Sequence, residues 1–231
     1  MVSVVCRENF FNFFLHEENI DEIAERIAAI RIRNANRKNS FMKPLPIEVD
    51  YEKRLFAGKG KFGAIYDGIK LNIICFELIS REEMTWDYCH ILFTNRLIAT
   101  WGEDRYHLRI GVYSYPSIIS LSGIVEAPAK PREFYLKMQM GMDANLLKKE
   151  FEGQLIDYGD ERITEIAKGY VMQAIFFHAT GSPFCSDKNC RLFNAHWQKD
   201  MIYAQLDGKY ELCPFHEKLL EEINEGQNEE V

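Results

Sequence analysis

The last quarter of the chain holds three of its six cysteines and three of its six histidines. Cys185 and Cys190 are separated by four residues, and Cys213 and His216 by two, with a spacer of twenty-two residues between the pairs. Two close pairs joined by a spacer are typical of structural zinc sites, because each pair shares one turn and the spacer folds back to complete a tetrahedron. The sequence therefore predicts one structural zinc per chain, bound by three thiolates and one imidazole.

Two alternatives to this ligand set remain open. His196 lies between the pairs and competes with His216, but Asn194 predicts a helix cap that places His196 in a first helical turn, so His216 is preferred. The other alternative has no metal, and the same residues are then buried cysteines and an exposed histidine. The remaining cysteines stand singly in apolar runs and are interpreted as small buried hydrophobes: Cys6, Cys75 and Cys89.

The elements that position these ligands follow from hydrophobic periodicity. Residues 160–179 have the period of a helix, with Gly181 placed to end it in a left-handed turn. Residues 20–32 predict a second amphipathic helix, preceded by an opening strand, "VSVVC", and followed by a polar loop over 33–53 that leads into an extended segment. Apolar runs between residues 62 and 127 predict strands of a central sheet. The expected fold class is α/β, a mixed sheet with packed helices.

The stretch "FFHATGSPFCSDKNC", residues 176–190, resembles the archaemetzincins, zinc metallopeptidase-like proteins of archaea and vertebrates. Their pattern is His-Glu-x-x-His-x-x-Gly-x-x-His, followed by Cys, four residues and Cys, and by a distal Cys-x-x-Cys. The matching positions here are His178, Gly181, Cys185, Cys190, Cys213 and, in place of the last cysteine, His216. "SGIVEAPAKPREFYL" and "CRLFNAHWQ" are similar to a further archaeal family labelled as metallopeptidases. The resemblance implies a metzincin-like fold.

Departures from that pattern fall on the catalytic set. Ala174 stands where the first zinc ligand belongs, Ile175 where the catalytic glutamate belongs, and Phe184 where the third histidine belongs. Leu192 stands at the position of the methionine that underlies the metal. A catalytic zinc needs three protein ligands, an activated water and a base. The resemblance therefore implies a structural zinc without the peptidase site, and a protein that binds a peptide or another protein.

Two further hypotheses belong to other classes of function. An active hydrolase would need a non-standard site built from His178, His107 and Glu126. An interaction module would use its zinc knuckle to contact a protein or nucleic acid. If peptide binding persists, residues 122–131, where the edge strand of the family would lie, are the expected place, by main-chain pairing. The alternative is that these residues are a connecting loop made stiff by proline.

Composition limits the partners and the number of domains. The net charge of −7 disfavours nucleic acid, whose phosphates require a surplus of Lys and Arg, and the basic run over 31–39 is interpreted as a solvated loop. No apolar run reaches the length of a membrane helix and no signal peptide is recognised, so a cytoplasmic protein is expected. The stretch "GKGKFGAIYDG", residues 58–68, is interpreted as a tight hairpin rather than a nucleotide site. A single domain is expected over 1–231, with 171–231 forming the histidine-bearing helix and zinc subdomain.

Overall fold

The computed structural model describes residues 3–7, 10–15, 19–40, 42–59 and 63–226. Two compact units divide the chain, Met1–Ser120 and Leu121–Val231. The class is α/β, as predicted, and a single domain over 1–231 stays a prediction. Within the described ranges, no helix has both the length and the apolar character needed to cross a membrane.

The first unit combines helices with two small mixed sheets. Its helices are α1 (Phe10–Phe14), α2 (Ile20–Ala29), α3 (Pro46–Phe56) and α4 (Gly68–Leu78). Its strands are β1 (Ile65–Asp67), β2 (Ile91–Thr94), β3 (Leu97–Trp101), β4 (Tyr106–Arg109), β5 (Gly111–Val112) and β6 (Ser117–Ser120). One sheet has the order β1-β3-β4, with β1 parallel and β4 antiparallel to β3. The other has the order β2-β6-β5, with β2 parallel and β5 antiparallel to β6.

The second unit is helical in all its regular elements among the described residues. They are α5 (Leu121–Glu126), α6 (Arg132–Gln139), α7 (Ala144–Glu150), α8 (Arg162–Thr180), α9 (Gln198–Ile202), a π-helical turn (Tyr203–Asp207) and α10 (Pro214–Gly226). The predicted helix over 160–179 corresponds to α8. The prediction for Gly181 is confirmed, because it follows α8 with a left-handed φ of 75°.

Several local predictions in the first unit are wrong. Residues 3–7 form no strand, and Val4 and Val5 are 84% and 73% exposed, so the apolar run has no sheet to pair with. The expected loop over 33–53 contains the start of α3, because Pro46 suits a first helical turn and the Glu48 side chain accepts from the Leu45 N–H at 2.8 Å.

The predicted central sheet is replaced by two sheets. In its described part, the run that begins at residue 62 is a strand only over 65–67. There the Asp67 side chain accepts from the Lys70 N–H at 3.3 Å and begins α4. A tight turn then directs β2 and β3 into different sheets, with the Arg96 N–H bonded to Thr94 Oγ1 at 3.1 Å. Period-2 patterns do not distinguish one sheet from two.

Corrections also apply near the zinc ligands and among the single cysteines. The expected edge strand is wrong, because β6 lies between β2 and β5 and residues 121–126 form α5. His196 precedes α9, which begins at Gln198, so the predicted cap at Asn194 is wrong.

The cysteines that stand singly differ in burial. Cys75 is buried as predicted, whereas Cys6 and Cys89 are exposed. The predicted hairpin over 58–68 includes Gly60, Lys61 and Phe62, which lie outside the described residues, as does His16. Its described part is not a hairpin, because 65–67 pair in parallel with β3 and Gly68 begins α4.

A buried ionic network lies inside the first unit. The Glu52 carboxylate, fully buried on α3, accepts from Arg31 Nη2 at 2.6 Å, from Tyr66 Oη at 2.8 Å and from Arg96 Nη2 at 3.0 Å. The Arg96 guanidinium lies 5.0 Å from the centre of the Phe11 ring. Both guanidinium groups therefore offset the cost of burying the Glu52 charge.

Candidate metal centre

Cys185, Cys190, Cys213 and His216 come together in the second unit. Their sulfur and nitrogen donor atoms all lie within 4.8 Å of one another. Cys185 and Cys190 lie on a loop that pairs back on itself through a bridge between Cys185 and Phe193. Cys213 immediately precedes α10, and its carbonyl accepts from the Glu217 N–H at 2.9 Å, so Cys213 and His216 share the first turn of that helix.

The donor atoms are spaced on the scale of a tetrahedral ion. A zinc ion with bonds of about 2.3 Å to sulfur and about 2.0 Å to nitrogen requires about 3.8 Å between two sulfurs and about 3.5 Å between sulfur and nitrogen. The Cys185 and Cys213 sulfurs are 3.8 Å apart, as required, whereas Cys213 Sγ lies 3.1 Å from His216 Nδ1, somewhat closer than required. Three soft sulfurs and one imidazole are also the donor chemistry that zinc prefers. The four residues could therefore hold a metal ion, and their donor chemistry suits zinc.

Backbone amides already point at two of the sulfurs. The Asp187 N–H donates to Cys185 Sγ at 3.3 Å, and the Cys213 N–H donates to Cys190 Sγ at 3.4 Å. The Asp187 side chain shapes the turn by accepting from the Asn189 N–H at 2.9 Å and from the Tyr210 hydroxyl. Such N–H groups stabilise negative charge on sulfur, so the loop is built to carry thiolates.

Burial sets the protonation of the cluster in the absence of a cation. Burial first, and then the neighbouring thiols, raise the pKa of Cys185 to about 12, and burial also raises the pKa of Cys190. Burial lowers the pKa of His216, which favours the neutral imidazole that binds metals. Three adjacent thiolates are unfavourable here unless a divalent cation compensates their charge.

Arg191 connects the two ligand pairs. It directly follows Cys190, is only 7% exposed, and its N–H donates to the Glu211 carbonyl at 3.0 Å. Its guanidinium donates to Glu211 Oε2 at 2.9 Å, to the Gln205 carbonyl at 3.0 Å and to the Glu165 carboxylate on α8. The side chain thereby connects the first ligand pair to the segment before Cys213 and to α8.

Helix α8 packs against the cluster. Phe176 is 1% exposed, and its ring centre lies 5.5 Å from that of His216 in an edge-to-face contact. Leu192 is fully buried in the same apolar cluster as Cys190. On the helix, the Gln173 amide donates weakly to the Arg191 carbonyl at 3.4 Å. The part of α8 that contacts the cluster therefore contributes packing and hydrogen bonds.

The residues at the positions of the archaemetzincin catalytic set differ from one another in burial and in their capacity to bind a metal. Ala174 is fully buried and has no atom that can bind a metal, while Ile175 is 46% exposed. His178 is half-buried one turn after Ala174, and Phe184 is 41% exposed. Of the three positions that the catalytic pattern would use for ligands, 174 and 178 lie on α8 and 184 follows it, and His178 alone is a potential ligand.

The other predicted catalytic residues lie on separate elements. His107 is on β4 in the first unit, opposite Thr100 on β3. Glu126 is the last residue of α5 in the second unit, and its carboxylate lies 3.5 Å from Lys130 Nζ. The assembly of His178, His107 and Glu126 into one site stays a prediction.

Sequence reasoning missed the residues that support the cluster. The sequence patterns do not single out Arg191, Asp187, Gln173 or Gln205. The Asp187 N–H donates to Cys185 Sγ, and the Gln173 and Gln205 amides donate to the carbonyl of Arg191, the residue after Cys190. Arg191 could have been predicted from its position between Cys190 and the apolar pair "LF", because a charged side chain that is buried there needs hydrogen-bond partners. The glutamines gave no signal because helix periodicity does not reveal which polar residues are buried.

These features define an α/β protein with a Cys₃His cluster suited to a metal ion. A family model, described as "Probable metallopeptidase family (DUF6775)", matches residues 1–223, and the chain belongs to this family. No curated protein and no solved structure matches the chain in the searches made.

Proposed function

We propose that this member of the metallopeptidase family binds one structural zinc through Cys185, Cys190, Cys213 and His216 and is no longer a peptidase. Its role is then the binding of a peptide or a protein, in the cytoplasm, on an archaemetzincin-like descendant of a metzincin fold. The observation that carries the proposal is the closed donor set, whose four atoms lie within 4.8 Å of one another.

A closed set of four donors differs in kind from a catalytic site. Zinc that activates water keeps one coordination position open and has three protein ligands, whereas structural zinc is fully coordinated, most often with cysteines. The cluster is also largely buried, with Cys190 fully buried and Cys213 and His216 each 7% exposed. When bound, the ion would supply charge compensation and cross-linking, and the chain's own residues would hold the loop and α10 around it.

The catalytic positions support the loss of hydrolysis. Ala174 and Ile175 replace a ligand and the general base, so His178 would remain as one imidazole of a former three. Ala174 is also fully buried, and its methyl group cannot act as a metal ligand. In this proposal the metal is bound by the Cys₃His cluster, and membership of a metallopeptidase family reflects descent and not a present activity.

Metal content and peptidase activity test this proposal together. We would measure zinc per chain by plasma mass spectrometry on the purified wild type and on the variants His178→Ala and Cys190→Ala, with Cys89→Ala as a matched control at an exposed cysteine. The expected result is one zinc in wild type, His178→Ala and Cys89→Ala, and a loss of zinc and of folding stability in Cys190→Ala.

Three results would contradict the proposed function. Two zinc ions in wild type and one in His178→Ala would assign a second, catalytic-type metal to α8 and overturn the proposal. Hydrolysis of a mixed peptide library that disappears in His178→Ala, while the fold is retained, would support the active site that includes His107 and Glu126. Zinc content unaffected by Cys190→Ala would remove the cluster as the metal site.

A further inference from the structure

The ligands of the Cys₃His cluster are unequally protected from solvent. Cys190 is fully buried and Cys213 and His216 are each 7% exposed, whereas Cys185 is half-buried. Oxidation of a cysteine depends on its access to the oxidant and on the thiolate character of its sulfur. Among the three thiols of the cluster, Cys185 is therefore the most open to a small dissolved oxidant.

A second sulfur is placed to react with an oxidised Cys185. Cys213 Sγ lies 3.8 Å from Cys185 Sγ, so a short movement of the two side chains brings the sulfurs to the about 2.0 Å of a disulfide bond. Backbone N–H groups donate to the sulfurs of Cys185 and Cys190, but none donates to Cys213 Sγ within the part of the chain that the structure describes. Such donors draw negative charge from a thiolate, so Cys213 keeps the strongest nucleophile of the three.

We infer that hydrogen peroxide oxidises Cys185 and Cys213 to a disulfide bond, and that the cluster thereby releases its metal while α10 stays attached to the ligand loop. The inference rests on the proposed function, because the zinc-loaded cluster is its starting state. It adds regulation to that site, since peroxide then controls whether the ion is held.

The reaction balances in two steps. The Cys185 thiolate attacks one oxygen of the peroxide, which breaks the O–O bond, forms a sulfenic acid on Cys185 and releases hydroxide. The Cys213 thiolate then attacks the Cys185 sulfur, forms the S–S bond and displaces a second hydroxide. The two sulfurs supply the two electrons that reduce the peroxide. Two protons from solvent convert the hydroxides to water, and a third neutralises the Cys190 thiolate.

The disulfide replaces the ion as the cross-link between the two ligand pairs. Cys185 lies on the loop, and Cys213 directly precedes α10, so the new bond still joins these two segments. Cys190 and His216 then remain as two donors, which is too few for a structural zinc ion that takes four. A bond between Cys185 and Cys190 would instead join two residues of one loop. The oxidised chain therefore loses the metal and keeps α10 attached.

Peptide mapping of the oxidised full chain identifies the bond. Trypsin cleaves after lysine and arginine, so it places the three cysteines of the cluster on different peptides, 169–188, 189–191 and 210–218. We would treat the zinc-loaded protein with hydrogen peroxide, follow the released metal with a chromogenic chelator, alkylate the free thiols and map the peptides without reduction. The expected result is one released zinc per chain, a bond between 169–188 and 210–218, and alkylated Cys190. A different disulfide, or release without a disulfide, would overturn the inference.

Two variants test the separate roles of the thiols. Cys213→Ser removes the second nucleophile, so a sulfenic acid should accumulate on Cys185 at least tenfold above the wild-type level and be trapped by dimedone. Cys89→Ser is the matched control, since Cys89 is an exposed cysteine in the first unit, and it should release zinc at the wild-type rate. Resistance of Cys89→Ser to peroxide would place the reactive thiol outside the cluster and overturn the inference.

Further readouts separate this inference from the proposed function. Zinc that is absent from the untreated chain would refute the proposed function and the switch together, whereas one zinc per chain that persists under peroxide would refute the switch alone. Dithiothreitol followed by zinc should restore one zinc per chain, and failure to rebind would mean irreversible damage instead of a switch. The oxidised, zinc-free chain should also melt at a higher temperature than the reduced, chelator-treated chain. Equal melting temperatures would refute the attachment of α10 by the disulfide.

Discussion

Replacing Arg191 by methionine tests whether this side chain holds the two ligand pairs together. Methionine has a similar length and no charge, so the change removes hydrogen bonds to Glu211, to the Gln205 carbonyl and to Glu165 with little loss of volume. The Glu211 and Glu165 side chains are 69% and 42% exposed, so water can solvate their carboxylates after the change. The full cost of breaking a buried ion pair therefore does not apply.

The remaining cost comes from the Gln205 carbonyl and the lost charged hydrogen bonds. A buried acceptor without its donor costs about 1–3 kcal/mol, so we expect a loss of about 2–3 kcal/mol in the free energy of unfolding. Urea denaturation of the zinc-loaded protein, followed by circular dichroism, measures it. Zinc release to a chromogenic chelator should also be faster, because the turn after Cys190 loses its attachment to the segment before Cys213.

Two control variants separate the contribution of the exposed ion pair with Glu211 from that of the hydrogen bonds that Arg191 makes to all three partners. Glu211→Gln keeps a hydrogen-bond acceptor at an exposed position and should cost less than about 1 kcal/mol. Arg191→Lys keeps the charge but cannot reach all three partners, so an intermediate loss is expected. A loss below about 0.5 kcal/mol in Arg191→Met, with unchanged zinc release, would refute the view that Arg191 organises the cluster.

Three other perturbations have defined outcomes. Phe176→Ala should lower the free energy of unfolding by about 3–5 kcal/mol, measured by urea denaturation, because it empties a site that is 1% exposed. Gly181→Ala should cost about 1–2 kcal/mol by the same assay, because φ is 75° there and no neighbouring atom lies within 4 Å to cause a clash. Burial alone raises the pKa of Glu48, but the Leu45 N–H and the Arg33 guanidinium outweigh it and lower that pKa below its usual value. A lowered pKa stabilises the fold above the unfolded-state pKa, and this contribution is lost as the pH falls below about 4.5, so Glu48→Gln should flatten the acid limb of a stability–pH curve.

The metal cluster was accessible from the sequence because its signal is local. Two ligand pairs, each within one turn, are visible as spacing, and the structure brings their donor atoms together. Helix α8 was accessible for the same reason, since the 3.6-residue period and Gly181 are properties of neighbouring residues. Whether the cluster binds zinc stays a prediction of its chemistry.

Features that depend on contacts between residues distant in the sequence could not be predicted from the sequence. The apolar run through Leu71 and Ile74 is compatible with strand or buried helix, and only the capping contact of Asp67 and the space around Gly68 distinguish them. The Asp67 cap is local, but the space around Gly68 is set by a residue far along the chain, Val112, whose Cγ2 would lie 2.9 Å from a Cβ at Gly68. The division into two sheets likewise depends on strand pairing, which periodicity does not encode.

The ionic network around Glu52 restricts how this sequence can change over time. Loss of either guanidinium, Arg31 or Arg96, would leave a carboxylate with no exposed surface partly uncompensated, whereas a concerted change of all three residues to apolar ones could preserve the fold. A single substitution at any of these three positions is therefore expected to destabilise the fold, whereas a triple substitution could preserve it. We expect the three positions to be inherited as a unit, so that relatives either keep the whole network or have none of it.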